Sequence, residues 1–224
     1  MDASPCDRKH TGKVAKPGGG KLNILAFVPY VLLSVLASSF VILLKPRIPA
    51  LLLGAIVVSS AAIVIETWVL NFVSGTLLLL IYAPIIEELL KFAATRYKRD
   101  LRSALGVGSG FAIAENALYF VTLASIYSLP VALPFILARA VGDPLLHSAS
   151  TSISVKTWRG KKLAIPEAIG LHFLYNLFAV AMAAYPSLFK FYPLVILGIV
   201  FILARERVRS RKAIIAAAAL GVGK

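Results

Sequence analysis

The sequence predicts an all-α fold: a polytopic transmembrane helical bundle of about seven spans, with a polar site in the cytoplasmic half of the bundle. Three observations predict it. The 224 residues are 59% hydrophobic, with a mean hydropathy of +0.85, which leaves too little polar surface to cover a water-soluble globule. Apolar runs near the roughly 20 residues needed to cross a bilayer recur along the chain. Ionisable residues, which are costly in hydrocarbon, fall inside several of those runs.

The elements follow in order. Residues 1–21, with "KPGGGK", read as a flexible basic arm. The apolar runs are 22–44, 48–65, 68–90, 104–125, 131–154, 163–184 and 191–204. Together they make a bundle over 22–204 with its motif-bearing core at 68–184. The first run is far longer than the roughly 7–15 residues of a signal-peptide core, so it reads as a span. Residues 205–224 read as a basic cytoplasmic tail, whose "AIIAAAALGVG" is too short to cross. Cys6 is the only cysteine, so an intramolecular disulfide and a cysteine zinc site are both excluded.

Lys and Arg number 24 against 10 Asp and Glu, a net charge of +14. In so apolar a chain this reads as positive-inside anchoring to a lipid bilayer, and nucleic acid is not an expected partner. The clusters "RYKRDLR" (96–102), "KTWRGKK" (156–162) and "RERVRSRK" (205–212) belong on one side, expected to be cytoplasmic. Counting back from them puts the N-terminus outside, whereas Arg8, Lys9, Lys13, Lys16 and Lys21 favour keeping it inside. The two indications stay opposed.

Four spans carry polar residues: Glu87, Glu88 and Lys91; Glu115, Asn116 and Tyr119; Arg139, Asp143 and His147; His172 and Asn176. Helical rise of about 1.5 Å per residue converts sequence distance from the basic loops into depth. Glu88 lies about 12 Å in, Glu115 roughly 16 Å, His147 about 14 Å and His172 about 15 Å. A shared polar layer explains this agreement. Simpler readings stand beside it. Glu87 with Lys91, and Arg139 with Asp143, are i, i+4 pairs that pin helices, and Asn116 and Tyr119 suit interhelical hydrogen bonding. Pro84 and Pro144 free carbonyls one turn earlier, a break tolerated where helices line a cavity.

In chain order, "EELLK", "FAIAENALYF", "HSAST" and "HFLYN" match E-E-x-x-K, F-x-x-x-E-N-x-x-Y, a histidine before small hydroxyl residues, and H-x-x-x-N. Together they resemble the PrsW family of intramembrane proteases, related to the CPBP group that includes the CAAX prenyl endopeptidases. Lys91 and Glu115 stand where the wider group has arginine and histidine, so a prenylated substrate is not implied. The resemblance implies an endopeptidase acting on a membrane protein or membrane-anchored peptide. Glu87 would hold and deprotonate the water, and Glu88 would pair with Lys91 or orient a histidine. His147 and His172 would position the water or carbonyl, with Asn176 donating to the oxyanion. Zinc on His147, His172 and Glu115 and a metal-free glutamate mechanism both stay open. A proton-coupled transporter, or an inactive scaffold of the same fold, are the alternative readings. The expected home is a prokaryotic cell membrane, with the C-terminus cytoplasmic.

Overall fold

In the computed structural model, residues 45–126 and 129–219 are described. The expected arm (1–21) and first span (22–44) lie outside them. The described residues form six long helices and no strand. Helix α1 is Ile48–Val69, α2 is residues 75–94, α3 is Leu101–Ile126, α4 is Leu129–Ser154, α5 is Ala164–Ala184 and α6 is Tyr192–Ala219.

Among the described residues, three segments are long and apolar enough to cross a membrane: Ile48–Val69, Ala164–Ala184 and Pro186–Lys212. The side chains are distributed accordingly. Large apolar residues face outward, such as Ile56, Val64, Trp68, Leu174, Leu197 and Phe201, while Glu88, Lys91, Asp143, His147 and His172 are buried. Apolar exterior with ionisable interior is the arrangement a lipid solvent selects. The protein is integral to the membrane.

Two boundaries differ from those read in the sequence. Helix α1 runs through Glu66 to Val69, because nothing in "IVIETWVL" breaks a helix. The chain turns instead at residues 70–74, and Ser74 Oγ accepts the Leu77 N–H to cap α2. Helix α6 likewise continues through "RERVRSRK" to Ala219 rather than stopping near 204.

Helix α4 sits at the centre, packed against α2, α3, α5 and α6, while α1 closes on α3 and α2. Small residues set the closest approach. A Cβ on Gly108 of α3 would collide with the backbone carbonyl of His147 on α4, so glycine there lets the two helices meet at the histidine. Beside it, Ser109 and Ser148 share a hydroxyl hydrogen bond of 3.0 Å. Gly108→Leu is expected to push α4 away, lowering the unfolding midpoint in detergent and misplacing His147. An unchanged midpoint would show that the contact is slack.

Just before α3, Asp100 caps that helix through the Ser103 N–H (2.8 Å) and receives Arg47 Nη2 (2.8 Å) from the start of α1. Partial burial alone would raise the Asp100 carboxyl, but hydrogen bonds from Arg47 and Ser103 outweigh it and hold the group below its ordinary value. A depressed carboxylate contributes stability above its unfolded pKa of about 3.9, and that contribution is lost as pH falls through the folded value. Asp100→Asn is therefore expected to reduce stability at neutral pH and to flatten its decline on acidification below about pH 4. Parallel pH titrations of the unfolding midpoint would measure both effects.

Candidate active site

Four helices supply the buried polar cluster. On α2, adjacent residues Glu87 and Glu88 point about 100° apart, and Lys91 follows one turn later. Glu88 Oε1 is the hub: it accepts from Lys91 Nζ at 2.6 Å, Ser150 Oγ at 2.9 Å and His172 Nδ1 at 3.0 Å. The pairing with Lys91 and the orientation of a histidine, read from the sequence as alternatives, occur together in one carboxylate.

Glu87 is placed differently. Its Oε2 has no hydrogen-bond donor among the described residues. It lies 3.6 Å from Lys91 Nζ, 3.8 Å from His147 Nδ1 and 3.9 Å from His172 Nε2. The imidazoles meet edge to face with centroids 4.9 Å apart. Each ring has one nitrogen held from behind. His172 gives Nδ1 to Glu88, leaving Nε2 towards Glu87, and His147 shares Nε2 with Glu115 Oε2 at 2.9 Å while its Nδ1 accepts from Lys91 Nζ at 2.7 Å.

Behind His147, Arg139 bridges Glu115 (2.9 Å) and Asp143 (2.6 Å) and lies over the Tyr119 ring at 3.6 Å. Tyr175 donates to Asp143 at 2.9 Å. Asn116 Nδ2 makes a long 3.4 Å contact to the Arg139 carbonyl. Thus Glu87, Glu88, Lys91, Glu115, His147 and His172 form one connected cluster, with Arg139, Asp143, Tyr119 and Asn116 supporting it.

Asn176 is positioned by a backbone irregularity. Residues Leu78–Tyr82 form a wide π-helical turn ahead of Pro84. In i→i+5 pairing the Leu79 carbonyl would need the N–H of residue 84, which proline lacks. Asn176 Nδ2 donates to that carbonyl at 2.9 Å. The expected oxyanion donor thus has one amide proton already engaged and keeps a second.

A cavity of about 350 Å³ reaches the cluster, with Glu87, Glu115, Tyr119 and Asn176 on its wall beside Ile63 and Leu118. Glu66 of α1 also lines it, with a buried Oε1 that has no hydrogen-bond partner among the described residues. The sequence reading missed Glu66, because depth was measured only from the three basic clusters. An ionisable residue within "IVIETWVL" was itself the signal. Ser150 was likewise seen only as part of a small hydroxyl run.

One ligand atom each from Glu87, His147 and His172 can be chosen so that all lie within 4.8 Å of one another. This trio differs in one member from that read in the sequence, because Arg139 and His147 already hold Glu115. Two imidazoles and a carboxylate, with the far nitrogens held by carboxylates, is a donor set suited to a hydrolytic metal ion. The orphaned Glu87 Oε2 fits such a role. Lys91 Nζ, 2.7 Å from His147 Nδ1, is the neighbouring positive charge that an ion would meet.

The description "PrsW family intramembrane metalloprotease" matches residues 45–204, more than half of the chain. The chain belongs to that family. No curated protein and no solved structure matches it. Membership of the PrsW family makes the protein a membrane-embedded protease with a membrane-associated substrate. The buried Glu, His and His of this PrsW member are compatible with that activity and could bind a metal.

Proposed function

We propose that the protein is an endopeptidase that hydrolyses a peptide bond of a membrane protein or membrane-anchored peptide, with Glu87 at the reacting centre. The observation that carries this is the buried Glu87 Oε2, free of hydrogen bonds among the described residues, facing two oriented imidazoles beside a cavity. Glu87 Oε2 takes a proton from the attacking water as its oxygen bonds to the scissile carbonyl carbon. That proton passes to the departing nitrogen as the C–N bond breaks. His172, its Nδ1 held by Glu88, orients water or carbonyl through Nε2, and the second amide proton of Asn176 is available to the oxyanion.

Zinc is the metal this donor set favours. When held by Glu87, His147 and His172, it would supply Lewis acidity and a more acidic water. Glu87 would then act as a ligand, leaving Glu115 as the cavity-wall carboxylate flanking His147. The metal-free version, suggested by the resemblance to the CPBP group, uses Glu87 directly. In this proposal the polar layer sits in the cytoplasmic half of a seven-span bundle, a reading that the positive-inside tendency of the basic loops supports.

The test is cleavage of a panel of single-span membrane peptides by purified, reconstituted protein, with metal content determined before and after chelation. Cleavage lost on chelation and restored by zinc supports the metal version, whereas full activity in metal-free protein excludes it. Proton-driven ion flux without any cleavage would overturn the protease reading.

A further inference from the structure

A second cavity, also about 350 Å³, lies away from the cluster at the end of the bundle where the basic segments meet. Its wall includes Ser152, Lys156, Arg159, Lys161, Glu206 and Arg209. Four cations face one carboxylate, leaving a local charge of 4 − 1 = +3. Glu206 is buried and engages Lys156 Nζ at 3.2 Å and Arg209 Nη1 at 3.6 Å, which fixes these two cations on the wall. Arg159 and Lys161 have no carboxylate partner among the described residues.

The backbone builds the concavity. After α4 the chain makes a tight 3₁₀ segment, Val155–Arg159, closed by Gly160 at φ +81°. That left-handed turn suits glycine. It returns the Lys161 N–H to the Lys156 carbonyl (3.3 Å), bringing both flanking cations to the cavity. The floor is apolar, with Leu101 and Val155. On α6, Ile202 lies two turns before Arg209 on nearly the same face, after the apolar stretch that carries Leu194, Leu197 and Phe201.

We propose that this cavity binds a phosphate-bearing anion, namely the headgroup of an acidic phospholipid whose acyl chains lie along the apolar part of α6. Cationic side chains are suited to phosphate oxygens, and cations at a membrane surface attract acidic lipids. What distinguishes the site from generic charge anchoring is that three segments, the ends of α3 and α4 and the body of α6, converge on one recess. The inference stands independently of the protease reading.

The test uses full-length protein in detergent micelles supplemented with phosphatidylglycerol, phosphatidylcholine or inorganic phosphate, read by thermal unfolding and native mass spectrometry. Phosphatidylglycerol is expected to raise the midpoint by on the order of 5 °C and to remain bound, whereas phosphatidylcholine does neither. Arg159→Ala/Lys161→Ala, on an exposed loop, should abolish the shift. Arg211→Ala/Lys212→Ala, which removes equal charge outside the cavity, should keep it. Equal loss in both double variants would reduce the effect to non-specific attraction and overturn the site. Equal protection by inorganic phosphate would overturn the lipid as occupant, and no shift with any additive would overturn binding altogether.

Discussion

Glu87→Gln is expected to reduce peptide-bond cleavage by about 10²–10⁴-fold, the range of a positioned acid or base, while leaving the fold in place. The two halves of this expectation rest on one geometric fact. Glu87 Oε2 accepts no hydrogen bond among the described residues, and its nearest cation is 3.6 Å away. An amide of the same shape therefore removes little that holds the bundle together, whereas it removes the proton acceptor. The loss is expected in either chemical version, because an amide is a poor base and a poor ligand for a hydrolytic metal. Metal content separates them. A variant that is inactive but retains the wild-type metal stoichiometry assigns Glu87 to proton transfer. An inactive variant that has lost the metal assigns it to ligation. Wild-type cleavage by a folded Glu87→Gln protein would remove Glu87 from the reacting centre.

The residues of the cluster were legible in the sequence because hydrocarbon makes ionisable side chains conspicuous. Glu87, Glu88, Lys91, Glu115, His147 and His172 stood out against their apolar neighbours, and common depth grouped them before any contact was known. Pairwise geometry was not legible. Depth cannot tell which of two adjacent glutamates turns to the lysine, nor that Arg139 ties Glu115 away from the trio. The Asn176 partner depended on a wide turn at Leu78–Tyr82, whose i→i+5 pairing no apolar periodicity reveals. Helix ends were less legible. The run expected to end at 65 continues to Val69, because glutamate is a good helix former, and the next helix starts at the capping residue Ser74.

The second large effect concerns stability. Glu88 and Lys91 are fully buried and 2.6 Å apart. Removing Glu88 leaves Lys91 only the more distant Glu87 at 3.6 Å, and removing Lys91 leaves two buried glutamates without their shared lysine, losses of about 3–5 kcal/mol in comparable buried pairs. Glu88→Leu and Lys91→Met are each expected to lower stability by that order, measured by denaturation in a fixed detergent. The double variant replaces the pair with apolar groups of similar volume, so it should recover the part of the loss that does not come from Glu87, whose nearest cation it also removes. Its activity should not return. In Glu88→Leu/Lys91→Met the His172 Nδ1–H has lost its acceptor, and the ring that faces Glu87 through Nε2 is no longer held in orientation. Stability and activity thus separate. On this account the pair is kept because Glu88 aims His172, and the ion pair itself adds little to the bundle. If the double variant were as unstable as the singles, the pair would be a structural requirement and that account of Glu88 would fail. If it were stable and fully active, the orientation of His172 would owe nothing to Glu88.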